Sequence, residues 1–509
     1  VMQKTDYSIP DSMGILMTFK YDNVNLMDFQ RIDELHDIGY NRTISMMDSI
    51  KSRIHRRVNL DNIRLRRMVY RSNFPELRFK NIIIDGANPQ QQAYMKKEFH
   101  KSDNKEFTYE DLKQGYFRLL SDKMISEIIP HAIYNPEDDT YDLHLKVKLE
   151  NNFAVRLGGN ISTSNSNQIY LGLSYQDLNY YAKEFILDGQ LGKVYNNVQF
   201  MAKIDFATAI PTSYRLIGSI STFDYFKKDK LFSRNNKPAF NQKDERFLKL
   251  QVGLPFLSSK RAEFGVGIAR IEDKYFQKSV IDFGNDKFDK SRYDLFGGSI
   301  SFNGSTLNSK QYPTRGYREA LVAQIFVGKE RFYPGEGSTT SNNKDHHSWL
   351  QLSYMKEKYH NMSEHWVLGW YLKALYASKN FSENYTATMM QAGEFSPTLH
   401  SKLTYNEAFR ANQFVGAGIR PIYRLSQMFH LRGEFYGFMP IYPIEKNSLN
   451  KAYYGKAFSK FEYLGEISVV CQLPFGDISA YVNHYSSPKR EWNVGLSIGL
   501  QLFNYRFIE

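Results

Sequence analysis

Alternation of apolar and polar side chains dominates the chain from residue 151 onward. Ile169, Leu171 and Leu173 alternate with Tyr170, Gly172 and Ser174, and Leu248, Leu250, Val252 and Leu254 with Lys249, Gln251 and Gly253. Phe429, Leu431, Gly433 and Phe435 alternate with His430, Arg432 and Glu434, and Val494, Leu496, Ile498, Leu500 and Leu502 with Gly495, Ser497, Gly499 and Gln501. A period of two marks strands with one apolar face. Sixteen such runs are centred near residues 158, 172, 189, 203, 219, 251, 267, 299, 324, 352, 372, 419, 434, 465, 482 and 497. From the fifth run to the fifteenth their links alternate in length: short at 256–261, 361–364, 424–427 and 474–477, somewhat longer at 306–316, and long at 227–244, 273–290, 333–346, 381–412 and 443–458. An even number of strands with short turns at one end and long loops at the other is the layout of a transmembrane β-barrel in a bacterial outer membrane. A soluble sandwich or propeller gives no reason to segregate loop length in this way.

Two smaller zones precede the barrel. Residues 1–75 hold one predicted helix, Asp28 to about Val58, with Phe29, Ile32, Leu35, Ile44, Met47, Ile50 and Ile54 at helical spacing, and a short strand at Gly14–Met17. This is too little for a core of its own and reads as the tail of a larger domain. Residues 76–150 predict a strand from Leu77 to Asp85, a helix opened by Asn88-Pro89, a second helix after Thr108, and strands at Ile125–Tyr134 and Tyr141–Leu149. The order is β-α-α-β-β. The fold class is therefore mainly β: a 16-stranded antiparallel barrel over 151–509, behind one small α+β domain and a helical stub.

Composition then refines the picture. A mean hydropathy of −0.51 with 24% charged residues reads naively as soluble, and no run approaches the ~18 apolar residues of a membrane helix. A barrel escapes that test because only alternate residues face lipid. The 36 Tyr and 37 Phe suit strands and interfacial girdles. A lone Cys471 excludes a disulfide framework and a Cys-based zinc site. The net charge of +12 admits nucleic acid or an anionic membrane, but no basic-aromatic module supports nucleic acid. The start at Val1, without a signal-peptide pattern, predicts a mature, cleaved or partial protein.

The β-α-α-β-β unit before a sixteen-strand barrel resembles a polypeptide-transport-associated (POTRA) domain in the outer-membrane insertase and translocator superfamily, which includes the BAM-complex barrel subunit and two-partner secretion transporters. Tyr312-Pro313-Thr314-Arg315-Gly316, in the link between strands eight and nine, looks like that superfamily's periplasmic-turn signature. The longest loop, 381–412, corresponds to its sixth loop, which enters the lumen. Phe409-Arg410-Ala411-Asn412 is the nearest counterpart of the Val-Arg-Gly-Phe-type tip, with Ala411 in place of Gly. By resemblance Arg410 is expected against the inner wall, with inward residues such as Glu434 as candidate partners. Ile9-Pro10, Ile32-Asp33-Glu34-Leu35, Gly39-Tyr40 and Met47–Lys51 resemble the closing segment of a patatin-like phospholipase domain, as in Bacteroidota proteins that fuse patatin, POTRA and barrel. The resemblance implies an outer-membrane location and an acyl hydrolase whose Ser-Asp dyad lies upstream of this chain, anchored or presented by the barrel. The alternative it implies is a non-enzymatic insertase or translocator, with protein partners captured through the POTRA domain. A passive pore is disfavoured by a loop that occupies the lumen.

Candidate chemistry within the chain is sparse. Gly495-Leu496-Ser497-Ile498-Gly499 and Asp85-Gly86-Ala87 match patatin patterns, but Ser497 lies mid-strand, with no helix after it to form an elbow, and Asp85-Gly86 reads as a turn. No catalytic residue, metal site or cofactor is expected. His346-His347 and His360/His365 supply no convergent ligand set and read as solvated or aromatic-belt residues. A basic cluster in the third outer loop, Lys227, Lys228, Lys230, Arg234, Lys237 and Lys243, suits lipopolysaccharide phosphates among the outer-membrane lipids. Nothing decides between monomer and dimer.

Overall fold

The computed structural model describes residues 9–10, 14–17, 32–54, 59–72, 76–99, 106–164, 166–207, 210–225, 241–257, 259–277, 287–336, 338, 343–487 and 492–509. The chain forms two compact units, Val1–Leu77 with Pro136–Thr140, and Arg78–Asn135 with Tyr141–Glu509. In the first unit, the single predicted helix is instead α1 (Ile32–Ser45) and α2 (Met47–Arg53), broken at Met46, and an unpredicted α3 (Leu60–Ser72) follows. None of the three helices buries a residue. Residues 14–17 form no strand.

The second unit begins with β1 (Arg78–Asp85), α4 (Pro89–Lys97), a two-residue β2 (Phe107–Thr108), α5 (Tyr109–Leu120), β3 (Ile125–Asn135) and β4 (Thr140–Leu149). Both helices start at capping boxes. The Asn88 side chain accepts from Gln90 and Gln91 amides while Gln91 reaches back to Asn88 N, and Thr108 and Asp111 do the same for α5. The sheet order is β2-β1-β4-β3, with β1 parallel to β4. Its core joins Phe79, Ile84, Met95, Phe99, Leu119 and Leu143 to Leu178 and Ala182 of the barrel, so the small sheet is packed onto the barrel base.

The barrel strands are β5 (Phe153–Ser162), β6 (Gln168–Leu178), β7 (Ala182–Gly192), β8 (Tyr195–Phe206), β9 (Thr212–Tyr225), β10 (Asn241–Phe256), β11 (Lys260–Tyr275), β12 (Asp289–Ser305), β13 (Gly316–Tyr333), β14 (Asn343–Asn361) and β15 (Trp366–Ala377). The long loop that follows holds α6 (Tyr385–Gln391), β16 (Gly393–Glu394) and β17 (Arg410–Ala411). Then come β18 (Gln413–Arg424), β19 (Phe429–Pro440), a loop hairpin of β20 (Ile444–Lys446) and β21 (Ala452–Tyr454), β22 (Glu462–Leu473), β23 (Gly476–Tyr485) and β24 (Trp492–Gly499). Sixteen of these strands close antiparallel, with β24 against β5.

Alternation explains the wall. Val198, Phe200, Leu248, Leu250, Val266, Ile268, Ile325, Val327, Leu350 and Leu352 face outward and exposed, while Gln199, Lys249, Gln251, Gln324, Gln351 and Ser353 between them are buried inside. Strand length is uneven: β14 has 19 residues and β24 has 8. At ~3.3 Å per residue β14 is about 60 Å long and β24 about 26 Å, and a barrel strand's tilt of about 40° reduces these to about 48 and 20 Å of height, so the closing strand falls short of one apolar band of about 25 Å.

Candidate functional site: the seam and the filled lumen

The closing ladder is the shortest in the wall. Among the described residues β24 meets β5 only at Ser497↔Ser162, Ile498↔Ile161 and Gly499↔Asn160, whereas β6 and β7 pair along their length from Gln168↔Gly192 to Leu178↔Ala182. Flanking bonds from Thr163 N to Leu496 O (3.0 Å) and Leu500 N to Gly159 O (2.7 Å) finish it. The predicted continuation of the last strand through Leu502 does not form. Gly499 has a φ of +119°, and a Cβ there would stand 2.2 Å from Gly159 O, so only glycine makes this exit. The chain then turns into the lumen. Among the described residues, Phe153–Gly158 of β5, which would face residues 501–506 in register, have no partner strand on that edge, and Leu157 is 81% exposed.

Three segments among the described residues fill the lumen. The first is the loop between β15 and β18. Phe409, Arg410, Ala411 and Asn412 are all buried where it rejoins the wall. The Arg410 guanidinium donates to Met390 O (3.4 Å) and Ala392 O (3.3 Å), pairs with Glu394 at 3.1 Å and lies 4.7 Å from the Tyr405 ring. Its carboxylate is thus Glu394, the residue opposite it across the β16–β17 ladder, and not Glu434.

Glu434 belongs to a second buried network. Arg432 pairs with Glu434, and donates to Pro313 O (2.8 Å) and the Tyr359 hydroxyl (3.0 Å). Arg420, one strand away on β18, pairs with Glu357 and Glu434 and donates to Pro397 O (3.2 Å). Two arginines sharing one carboxylate therefore hold the loop through Pro397 and the opposite turn through Pro313.

That turn, between β12 and β13, is the second lumen segment. Tyr312, Pro313 and Thr314 of the predicted motif are buried, Arg315 is exposed and Gly316 opens β13. The Tyr312 hydroxyl donates to Ser479 Oγ on β23 (3.0 Å), and Arg424 donates to Thr314 O (3.2 Å), so the turn reaches across to β18, β19 and β23. The third segment is residues 500–509, with Phe507 in a cluster with Ile217, Phe247, Tyr293, Phe326 and Trp349.

Lys227, Lys228, Lys230, Arg234 and Lys237 lie outside the described residues. Lys243 is not in the outer loop but on β10, its ammonium 3.4 Å from Met390 O inside the lumen. Ser497 is buried in the seam and donates to Asn160 Oδ1 at 2.6 Å. Gly86, after Asp85, has a φ of +89° in the turn out of β1. His347 is no solvated loop residue: it faces inward, 2.8 Å from Glu330. Among the described residues no three His, Cys, Asp or Glu side chains converge as a metal site. Arg420, Arg432 and the wall glutamines belong to no sequence motif; their signal is a cation or amide at the inward position of an alternating strand.

No protein-family model matches the sequence, and no curated protein does either. The fold is similar to the crystal structure of BamA from Haemophilus ducreyi lacking POTRA domains 1-3, at a TM-score of 0.57 and 12% identity over 83% of this chain and 84% of that one. With a closed sixteen-strand wall, apolar outside and polar within, that likeness decides the class. The chain is an outer-membrane β-barrel. CdiB from Acinetobacter baumannii and CdiB from Escherichia coli each align over 84% of the barrel chain, at 9% and 11% identity, 74% and 76% of their own lengths, and TM-scores of 0.49 and 0.47. At such identities the kinship of this barrel to known proteins is one of fold.

Proposed function

We propose that this outer-membrane barrel handles polypeptide strands, as an insertase or translocator, with the lower edge of β5 as its receptor for a client strand. The observation that carries this is the open edge at Phe153–Gly158 beneath a three-pair seam. Backbone N–H and C=O groups facing lipid without partners are costly, so such an edge favours augmentation by another strand. The small domain before β5, which resembles a POTRA module, adds a second exposed edge at β3, suited to delivering an extended chain. The filled lumen supports a gated device rather than an open pore.

A second reading has its own support. The helices of residues 32–72 expose Ile44, Leu60, Leu65 and Met68, an apolar surface that a larger domain would cover. A patatin-like acyl hydrolase, as the resemblance of this zone implies, is such a domain, and the barrel would then also anchor it. Phospholipid hydrolysis by the natural protein, lost with a Ser-to-Ala change in an upstream Gly-x-Ser-x-Gly, tests that reading separately.

For strand handling, the test is folding of a urea-unfolded eight-strand client in liposomes containing the barrel. Ser162→Cys and Ser497→Cys, in a Cys471→Ser background, sit on a directly opposed non-hydrogen-bonded pair, where Cα atoms lie about 4.5 Å apart, within disulfide range. The client should fold faster with the barrel than without it; oxidation, by keeping β24 from parting further from β5 as a client strand zips upward from the open edge, should stop this, and reductant should restore it. A locked seam that leaves the rate unchanged refutes the proposal.

A further inference from the structure

Beyond Leu500, whose N–H still bonds Gly159 O of β5, residues 501–509 cross the lumen with their backbone held by side chains of the wall. The Gln168 amide on β6 pairs with both backbone groups of Leu502, at 3.0 Å each. Gln199 on β8 accepts from Tyr505 N at 3.3 Å, and Glu245 on β10 from Phe507 N at 2.5 Å. Gln324 on β13 binds Phe507 O (3.1 Å) and Glu509 N (3.0 Å), and Gln351 on β14 donates to Glu509 O at 2.6 Å. A side-chain amide offers a donor and an acceptor, as a partner strand does, and these bonds are indifferent to which residue the peptide carries. Selectivity comes from two rings. Phe507 is 3% exposed between Phe247 and Phe326, with ring centroids 5.9 and 5.7 Å away. Its space exists because the wall offers Gly267 and Gly297, where a Cβ would come within 3.0 and 3.1 Å of the ring. Phe503, four residues earlier, lies 5.8 Å from the Tyr195 ring, with the Lys402 ammonium 5.6 Å from its own.

We propose that the inner wall from β6 to β14 is a peptide-binding site for an extended polypeptide segment carrying two aromatic side chains four residues apart, which residues 500–509 fill in cis. The chemistry of the occupant is read from the segment seated there. A client segment with the same pattern displaces it. The inference rests on the strand-handling reading and deepens it: the client is recognised inside the lumen, by backbone and ring pair, in addition to the β5 edge.

The test is binding of a fluorescein-labelled peptide, Leu-Gln-Leu-Phe-Asn-Tyr-Arg-Phe-Ile-Glu, to the full chain in detergent. Loss of two buried rings weakens a segment by more than about 10-fold. A Phe503→Ala/Phe507→Ala chain should therefore bind the peptide at least about 10-fold more tightly than the parent, and a peptide with both Phe replaced by Ala should lose at least as much. Further Gln324→Ala and Gln351→Ala changes should weaken binding to that variant. If the double variant keeps its heat-modifiable folded mobility yet binds no better, or if the Ala peptide binds equally, the site is refuted. A second reporter leaves the ring pair intact: Tyr505→Cys with Cys471→Ser should gain maleimide reactivity when peptide is added, and no gain overturns displacement. A barrel that binds peptide but folds no client refutes the strand-handling function alone, and the reverse refutes this site alone.

Discussion

Arg432 is the wall residue whose removal has the most calculable effect. It is 1% exposed and satisfies three groups: the Glu434 carboxylate, Pro313 O at 2.8 Å and the Tyr359 hydroxyl at 3.0 Å. Arg432→Met removes the cation and keeps most of the volume. A buried carboxylate that loses its partner costs about 3–5 kcal/mol, and an orphaned backbone carbonyl about 1–3 kcal/mol. The first figure is softened because Arg420 stays 3.6 Å from Glu434, so a total of about 4 kcal/mol is expected. Glu434→Gln alone should cost a similar amount, since it strands Arg432. The double variant loses both charges at once, while Arg420 keeps Glu357. It should therefore be less damaged than the sum of the singles by about 2–3 kcal/mol. Urea unfolding in detergent, followed by tryptophan fluorescence, measures all three, and limited proteolysis of the 306–315 turn reports whether the Pro313 anchor is released. Additivity within about 0.5 kcal/mol, or single variants as stable as the parent, would refute the shared-carboxylate account.

Two further outcomes concern the small domain. Gly86→Ala places a Cβ 2.1 Å from Val147 O at a φ of +89°, so β1 and β4 must separate locally; a loss of about 2 kcal/mol or more is expected in thermal unfolding, and an unchanged Tm would contradict the turn geometry. Burial, above all, raises the Asp122 carboxyl above its ordinary 3.8. Its contribution is therefore whole below that pH and lost as pH rises through the folded value, so Asp122→Asn should flatten this part of the stability profile. A profile that keeps its slope in the variant would assign the dependence elsewhere.

Periodicity carried most of the barrel. All sixteen runs coincide with strands, because a wall with lipid on one side and a polar lumen on the other writes its register into every second residue. Asn88-Pro89 and Thr108 were legible for an equally local reason, since a cap is decided within four residues. Failures came where long-range contacts override the pattern. Leu500 and Leu502 continue the alternation of β24 perfectly, yet Gly499 lets the chain leave, and the bonds that draw it inward come from Gln168 and Gln324, more than a hundred residues away. Glu434 reads from the pattern as inward and acidic, yet its partners are Arg420 and Arg432 rather than Arg410, because pattern gives a side chain's face and not which of four buried arginines stands beside it. The helical stub reads as one helix because an amphipathic count does not see a break at Met46.

The crossings of the lumen bear on how this cylinder resists tension around its girth. An ordinary barrel carries that hoop stress entirely in its ring of ladders, and the weakest ladder sets the limit. Here the Tyr312 turn ties the β12–β13 side to β18, β19 and β23, and residues 500–509 tie β6 through to β14, so load is also shared along chords through the interior. A braced ring tolerates a nearly unzipped seam, and the seam can be short because the barrel does not depend on it for shape.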